Sequence, residues 1–280
     1  MSKASILIIC ISLKQSSSRR NNVSDEIQRL IQLCPDLSID FDFFDGIYGK
    51  DLAPEYLSFI NIAREQAGLC ERTLVAGEIG CLLSHLFVWQ RLINGEYDQY
   101  QRVIIIEDDV YLNTNKINEK LIDILDSKED FMFLGGHALK SRTRIHGYPS
   151  DNQLYFNMLG PSYLYSTACA YSLNKSAATE FLYKLILKPS FVDDWQYLLK
   201  YRFKVPHYFC FEQGGEDDST IGSNRVDFKP TKTMDRLKKN LPKIGKDLLA
   251  RFKILIVFKR CMSLTQFFSK VGEEGYRNNK

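Results

Sequence analysis

Three consecutive carboxylates, Glu107, Asp108 and Asp109, follow the apolar residues 103–106. A β-branched apolar run of this length is typical of a buried strand, and open α/β sheets bind their ligands at the C-terminal ends of such strands. Adjacent carboxylates repel one another, and a bound divalent cation removes that repulsion. Oxygen ligands suit Mg²⁺ or Mn²⁺, ions that usually hold substrate phosphates. The segment therefore predicts a metal–diphosphate site; the alternative is a strand that ends in a solvated acidic turn.

The rest of the chain alternates between strand-like and helix-like patterns, which predicts an α/β fold with a mostly parallel sheet. The apolar residues 77–93 form a good candidate for a buried helix, ended by Asn94-Gly95. Residues 138–162 look like a loop, suited to contacting an acceptor. The other predicted strands are 6–13, 37–44, 131–134, 167–172 and 205–211, and the other predicted helices are one capped by Ser24 or Asp25, 54–67, one capped by Asn174, and 192–201.

Composition is that of an ordinary globular protein: 280 residues, 45% hydrophobic and 25% charged. The seven cysteines contain no C-x-x-C pair, so they predict neither a disulfide framework nor a zinc site and indicate a reducing compartment. No apolar stretch reaches the length of a membrane-spanning helix. The apolar residues 4–13 lack a cleavage site after them and are better interpreted as a first strand than as a signal peptide.

Several blocks, taken in order, resemble glycosyltransferase family 25, which includes bacterial lipooligosaccharide glycosyltransferases and relatives of collagen galactosyltransferase domains. The most specific block is G-E-I-G-C-L-L-S-H-L at 77–86, and I-E-D-D-V follows at 106–110. The remaining blocks are Ser12-Leu13 with Arg19-Arg20, residues 170–177, Asp193 after Pro189, and D-S-T-I at 218–221. The resemblance covers residues 4–222.

The resemblance implies a GT-A type fold, with a Rossmann-like, mostly parallel sheet flanked by helices. It also implies a UDP-sugar donor and a Mn²⁺ or Mg²⁺ ion. In such a site, Glu107 and Asp109 are the expected metal ligands. The expected donor contacts are Ser12, Arg19, Glu78, Glu107 and Asp108.

A transfer that inverts the anomeric centre of the sugar needs a carboxylate that takes the proton of the acceptor hydroxyl. Asp193 and Asp218 match the family positions and are the predicted catalytic residues, but Asp194, Glu216 and Asp217 are neighbouring candidates. The sequence does not separate the base from an acceptor anchor. Asp193 or Asp194 could instead cap the helix that begins there.

Several polar or aromatic residues could have a purely structural role instead of contacting a substrate. Arg19-Arg20 could lie in a solvated loop, and Glu78 could cap the helix whose first turn it occupies. His85 is more typical of a core histidine than of a ligand. Trp195 could stack on a sugar, although core packing is the more common role.

The C-terminal residues are strongly basic, with 14 Lys/Arg and four acids at 229–280, against 23 and 30 at 1–228. Their apolar residues recur at helical spacing with lysines between them, which predicts an amphipathic helix on an anionic membrane surface. The alternative is a helix that packs on the main domain, and nucleic-acid binding is not expected. We therefore expect two parts, a glycosyltransferase domain at 1–228 and a tail at 229–280.

Together these patterns favour a metal-dependent hexosyltransferase. The resemblance implies that it moves galactose from UDP-galactose onto a lipid-linked oligosaccharide, in lipooligosaccharide or lipopolysaccharide biosynthesis. Its expected location is the cytoplasmic face of the inner membrane, as a peripheral protein. The alternatives are a non-catalytic nucleotide- or carbohydrate-binding relative and a nucleotidyltransferase.

Overall fold

The computed structural model describes residues 5–69, 72–136, 147–159, 167–200, 202 and 204–214. Within them, one sheet lies between two layers of helices. The strands are β1 (Ser5–Ser12), β2 (Ser38–Asp45), β3 (Arg102–Glu107), β4 (Val110–Leu112), β5 (Phe131–Gly135), β6 (Gly147–Pro149), β7 (Phe156–Leu159), β8 (Ala170–Leu173) and β9 (Lys204–Gln213). The helices are α1 (Ser17–Leu33), α2 (Pro54–Gln66), α3 (Ala76–Asn94), α4 (Ile117–Asp126), α5 (Lys175–Leu187) and α6 (Trp195–Leu198), with a short 3₁₀ turn at Gly49–Asp51.

The strand order is β2-β1-β3-β8-β5-β9-β7-β6, and β4 pairs with β9. Strand β1 is parallel to both β2 and β3, while β8 lies antiparallel between β3 and β5. Strand β9 is parallel to β5. The strands β2, β1, β3, β5 and β9 consequently run in one direction, which confirms the predicted α/β fold with a mostly parallel sheet.

Alternate residues of β1 and β3 enter two different hydrophobic cores, as the two-residue period of a strand requires. Ile9 and Ile105 pack with α3 and α5 on one face of the sheet. Ile8 and Ile104 pack with α1 and α4 on the other face. Both faces are buried, so these strands are apolar throughout and lack the alternation of a half-exposed sheet.

Two predicted boundaries were wrong, and helix α4 was not predicted. Helix α1 begins at Ser17, not after Ser24 or Asp25, because its polar first two turns carry no apolar repeat that would reveal them. Part of the expected loop at 138–162 is a hairpin of β6 and β7, and β7 extends the sheet by pairing with β9.

The described residues do not include the tail at 229–280, the predicted domain boundary at 228, or Asp218. In the part that is described, no helix combines the length and apolar character needed to cross a membrane. The cysteines described there, which are Cys10, Cys34, Cys81, Cys169 and Cys210, are all free thiols.

Candidate active site

A cleft of about 1020 Å³ opens at the C-terminal ends of β1 and β3, beside the N-terminal half of α3. Parallel strands that end at one edge of a sheet create this kind of opening. The charged residues that line it are Arg19, Lys50, Arg72, Glu78, Glu107, Asp108, Asp109 and Asp193. Of the predicted site residues, Ser12 also lines the cleft, so every one that falls within the described ranges borders the same space.

The carboxylates of Glu107 and Asp108 point to opposite sides of the sheet, continuing the alternation of β3. Asp108 lies on the α1 side, where its two oxygens accept hydrogen bonds from Ser12 Oγ (2.6 Å) and Arg19 Nη1 (2.9 Å). Two of the predicted donor contacts, Ser12 and Arg19, therefore hold Asp108 in place. The second terminal nitrogen of Arg19 is buried and has no hydrogen-bond partner within the described ranges, so it remains available to an anion.

Arg20 braces the ends of two neighbouring strands. Its Nη2 donates to the carbonyl of Ser12 at 2.8 Å and to Asp45 Oδ1 at 2.5 Å. The solvated-loop interpretation of Arg19-Arg20 is therefore wrong, because both arginines belong to α1 and contact strand ends.

The carboxylate of Asp109 lies in a site that is unfavourable for a negative charge. Burial, and then the negative charge of Glu107, raise the pKa of Asp109 to about 6. Gln213 Nε2 donates to its Oδ2 at 3.0 Å, and the backbone N–H of Gly214 donates to its carbonyl at 2.7 Å. Its Oδ1 is buried and has no hydrogen-bond partner among the described residues. A nearby positive charge would stabilise the ionised form of this buried carboxylate.

Glu107 lies on the α3 side of the sheet, beside two residues of that helix. Its Oε1 is 3.5 Å from His85 Nε2 and 3.8 Å from Cys81 Sγ. The other ring nitrogen of His85 shares a hydrogen bond of 2.6 Å with Tyr171 Oη. Tyr171 in turn accepts a hydrogen bond of 2.8 Å from Trp89 Nε1. His85, Tyr171 and Trp89 therefore form a buried row of hydrogen-bonded side chains beside the carboxylate of Glu107.

Glu78 has a structural role in addition to bordering the cleft. Its Oε2 accepts from the backbone N–H of Val75 at 3.0 Å, which caps α3. The same carboxylate forms a two-point ion pair with Arg72, at 2.6 and 2.7 Å. The alternative of a helix cap is thus what the structure shows, and contact between Glu78 and a donor stays a prediction.

Asp193 and Asp194, the two adjacent acids before α6, have different surroundings in the structure. Asp194 is the N-cap of that helix: its Oδ1 accepts from Tyr197 N at 3.3 Å and its Oδ2 from Ser190 Oγ at 2.7 Å. Asp193 lines the cleft together with Cys81 of α3. Burial, then the charge of Glu107 and then that of Asp193 raise the pKa of the Cys81 thiol. Of the two, Asp193 is the one positioned to meet an acceptor.

Core packing accounts for the aromatic and histidine positions outside the cleft. Trp195 is buried against Phe131 and Phe133, and its Nε1 donates to Thr167 O at 3.0 Å. Stacking of Trp195 on a sugar is therefore wrong. His207 is buried and stacks on Phe209, with ring centroids 3.8 Å apart.

Three residues of the site were missed by the sequence analysis: Cys81, Arg72 and Gln213. Cys81 could have been found, because it lies one helical turn before His85 and so shares its face. Arg72 and Gln213 carried no local signal, since only the folded chain brings them to Glu78 and Asp109.

This cleft, with acidic and basic side chains around the C-terminal ends of parallel strands, lies where open α/β sheets bind their ligands. The family described as "Glycosyltransferase family 25 (LPS biosynthesis protein)" matches residues 5–195. The chain belongs to this family, as its motifs predicted.

Curated relatives include proteins named as glycosyltransferases and others named as inactive. Human procollagen galactosyltransferase 2 is 29% identical over 123 residues, which cover 43% of this chain and 18% of that protein. A putative glycosyltransferase of Haemophilus influenzae is 30% identical over 130 residues, or 46% of this chain and 39% of that protein. Human inactive glycosyltransferase 25 family member 3 is 28% identical over 141 residues, or 48% of this chain and 20% of that protein. The matches thus span well under half the length of these relatives.

Proposed function

We propose that this chain is a metal-dependent hexosyltransferase that moves galactose from UDP-galactose to a lipid-linked oligosaccharide of the lipopolysaccharide type. Family membership supports the glycosyl transfer. The name of the human procollagen relative supports galactose as the sugar, and the description of the family as an LPS biosynthesis protein supports the acceptor.

The observation that carries the proposal is the state of Asp109. Its buried Oδ1 has no hydrogen-bond partner within the described ranges, and its raised pKa comes from burial and from Glu107. Oxygen ligands of this kind fit Mn²⁺ or Mg²⁺. Asp109 and Glu107 would hold the ion, and its positive charge would stabilise negative charge on the leaving diphosphate.

Other side chains would bind and orient the substrates. Ser12 and Arg19 fix the carboxylate of Asp108, and the free nitrogen of Arg19 is available for a phosphate oxygen. Asp193 borders the same cleft and is the described candidate for accepting the proton of the acceptor hydroxyl. Asp218, the other predicted base, lies outside the described residues.

The first test is Asp109→Asn, which removes the charge and keeps the shape. We expect transfer with Mn²⁺ to fall by about 10³-fold, because the ion loses its most buried ligand. Folding should be retained, since an amide avoids the cost of burying a carboxylate. Transfer from a panel of UDP-hexoses to short saccharides measures the activity, and circular dichroism measures the fold.

The matched control is Asp126→Asn, at the exposed end of α4, which should transfer as the wild type does. Near-normal transfer by Asp109→Asn would refute the metal assignment. If the wild-type protein binds a UDP-sugar but neither transfers nor hydrolyses it, with or without Mn²⁺, the chain is a binding relative of the inactive family members.

A further inference from the structure

A second set of metal-binding groups lies beside the carboxylates of the cleft. Cys81 and His85 are one turn apart on α3 and face the end of β3, where Glu107 lies. One ligand atom from each of the three, Sγ, a ring nitrogen and a carboxylate oxygen, fall within 4.8 Å of one another. Cys81, His85 and Glu107 all border the cleft, so an ion can reach them from solvent.

His85 gives an independent indication of a ligand. Its side chain has 0% exposure, and its Nε2 has no hydrogen-bond partner in the described part of the chain. An unsatisfied buried nitrogen costs about 1–3 kcal/mol. This atom points at Glu107, 3.5 Å from Oε1. A nitrogen left unsatisfied in a position shared with a thiol and a carboxylate suits coordination of a cation.

The surroundings of His85 are those of a metal-ligating histidine, whose second ring nitrogen is normally hydrogen-bonded. Here Nδ1 lies 2.6 Å from Tyr171 Oη, which is itself held by Trp89 Nε1. A phenolic oxygen has two lone pairs. Tyr171 Oη can therefore accept from both Trp89 Nε1 and a proton on Nδ1, which leaves Nε2 free to bind an ion.

We propose that Cys81, His85 and Glu107 form a site for Zn²⁺ or another thiophilic divalent cation, adjacent to the oxygen-only site of Asp109. Sulfur and nitrogen ligands favour Zn²⁺, whereas Mg²⁺ and Mn²⁺ favour oxygen. Three protein ligands leave a fourth position of a tetrahedral ion open to the cleft. On binding, the thiol of Cys81 releases its proton to solvent, and the neutral imidazole of His85 keeps its single proton on Nδ1.

A sequence search for zinc ligands fails here because the three residues do not form a local motif. Cys81 and His85 alone are a C-x₃-H pair, and the third ligand lies 22 residues further on at the end of a strand. The earlier expectation of no zinc site counted only C-x-x-C pairs.

The test is a Co²⁺ titration of the full chain, followed by near-ultraviolet absorbance. We expect a thiolate-to-cobalt charge-transfer band that added Zn²⁺ abolishes. Cys81→Ser should lose the band. Cys34→Ser is the matched control, since Cys34 is a free cysteine buried at the end of α1 and outside the cleft, and it should keep the band.

The outcomes separate this site from the proposed transferase function. Asp109→Asn should keep the cobalt band even if all transfer is lost, because Asp109 is not one of the three ligands. A folded wild-type protein with no band, or a Cys81→Ser variant that retains it, would overturn the proposal.

A second readout rests on the proposed function. Because Glu107 would serve both sites, Zn²⁺ should inhibit Mn²⁺-dependent transfer. The Zn²⁺ concentration that halves transfer should be at least tenfold higher for Cys81→Ser than for Cys34→Ser, by analogy with the loss of a metal ligand or its support. Equal inhibition of the two variants by Zn²⁺ would contradict the proposal that Glu107 serves both sites.

Discussion

Asp108 and Asp109 are adjacent in the chain, yet their surroundings differ. Asp108 has a hydroxyl and a guanidinium as donors. Asp109 has Gln213 on one oxygen and, within the described ranges, no hydrogen-bond partner on the other. The sequence predicted that this acidic run would lie at a sheet edge. It could not predict which acid would be satisfied, because the donors come from positions about 100 residues away in either direction.

Asp193 and Asp194 offer a matched pair of variants. We expect Asp193→Asn to reduce transfer by about 10²–10⁴-fold, as removal of a general base does, with little change in stability. Asp194→Asn should keep most of its activity and lose about 1 kcal/mol of stability, because the amide nitrogen that replaces Oδ2 cannot accept the hydrogen bond from Ser190 Oγ. Steady-state transfer and urea unfolding measure the two effects. The reverse pattern would show that Asp194 is the general base.

His207 should make the fold sensitive to acid. Burial, and then the positive charge of Lys120, lower the pKa of His207 from 6.5 to about 3. The unfolded chain therefore takes up this proton first, and the contribution of neutral His207 to stability is lost as the pH falls from 6.5 towards 3.

Between pH 7 and pH 5 this residue should account for about 2 kcal/mol of the decrease in unfolding free energy. His207→Gln should lower stability at pH 7 and lose less on acidification. Urea unfolding of both proteins at the two pH values is the measurement. An equal loss in wild type and variant would assign the acid sensitivity to other groups.

At the scale of elements, α3 shows what the individual residues of the block at 77–86 do. Glu78 caps the helix, and Gly80 lets the backbone of the 46–51 loop approach. Ser84 Oγ accepts from the N–H of Ile47 at 2.8 Å, while Cys81 and His85 face Glu107. Helical periodicity predicted the helix itself, but the reasons for its individual residues required the neighbouring loop and strand.

Gly80→Ala tests the contact between α3 and this loop. A methyl group at Gly80 would lie 2.4 Å from the carbonyl oxygen of Ile47 and 2.7 Å from the N–H nitrogen of Gly49, so the loop must move. We expect a stability loss of about 1–3 kcal/mol, and a higher KM for the donor because residues 46–50 line the cleft.

The control on the same helix is Gln90→Ala, at an exposed position, which should change neither quantity appreciably. Urea unfolding and donor titration make the comparison. A Gly80→Ala protein with the wild-type urea midpoint and KM would mean that the loop adjusts without cost.

Element prediction missed α4 even though its apolar residues recur at helical spacing, and it also failed where apolar periodicity was weak or absent. The polar start of α1 and the short strands β6 and β7 carry little of it. Strand β8 was recognised as a strand, but its antiparallel place between β3 and β5 depends on long-range pairing that local pattern does not encode.

At the scale of the whole molecule, charge is divided along the chain. The acidic residues gather at 1–228, and the basic excess lies at 229–280, beyond the described residues. We expect deletion of 229–280 to release the protein from anionic vesicles, because each basic residue near such a surface contributes about 1 kcal/mol. Turnover on a soluble acceptor should survive.

Vesicle co-sedimentation at two salt concentrations is the measurement, since salt screens this attraction. Neutral vesicles provide the control. Unchanged sedimentation of the truncated protein with anionic vesicles would support the alternative, in which the tail packs on the main domain.

The hydrogen bond from Ser12 to Asp108 joins positions 96 residues apart. During synthesis, more than a third of the polypeptide must therefore be made before the hydroxyl of Ser12, at the end of β1, can bind Asp108. Fragments that end before β3 lack this hydrogen bond, whereas two separately expressed halves that reassociate would restore it. Recovery of ligand binding on mixing such halves would then report that the central strands have joined in the correct order.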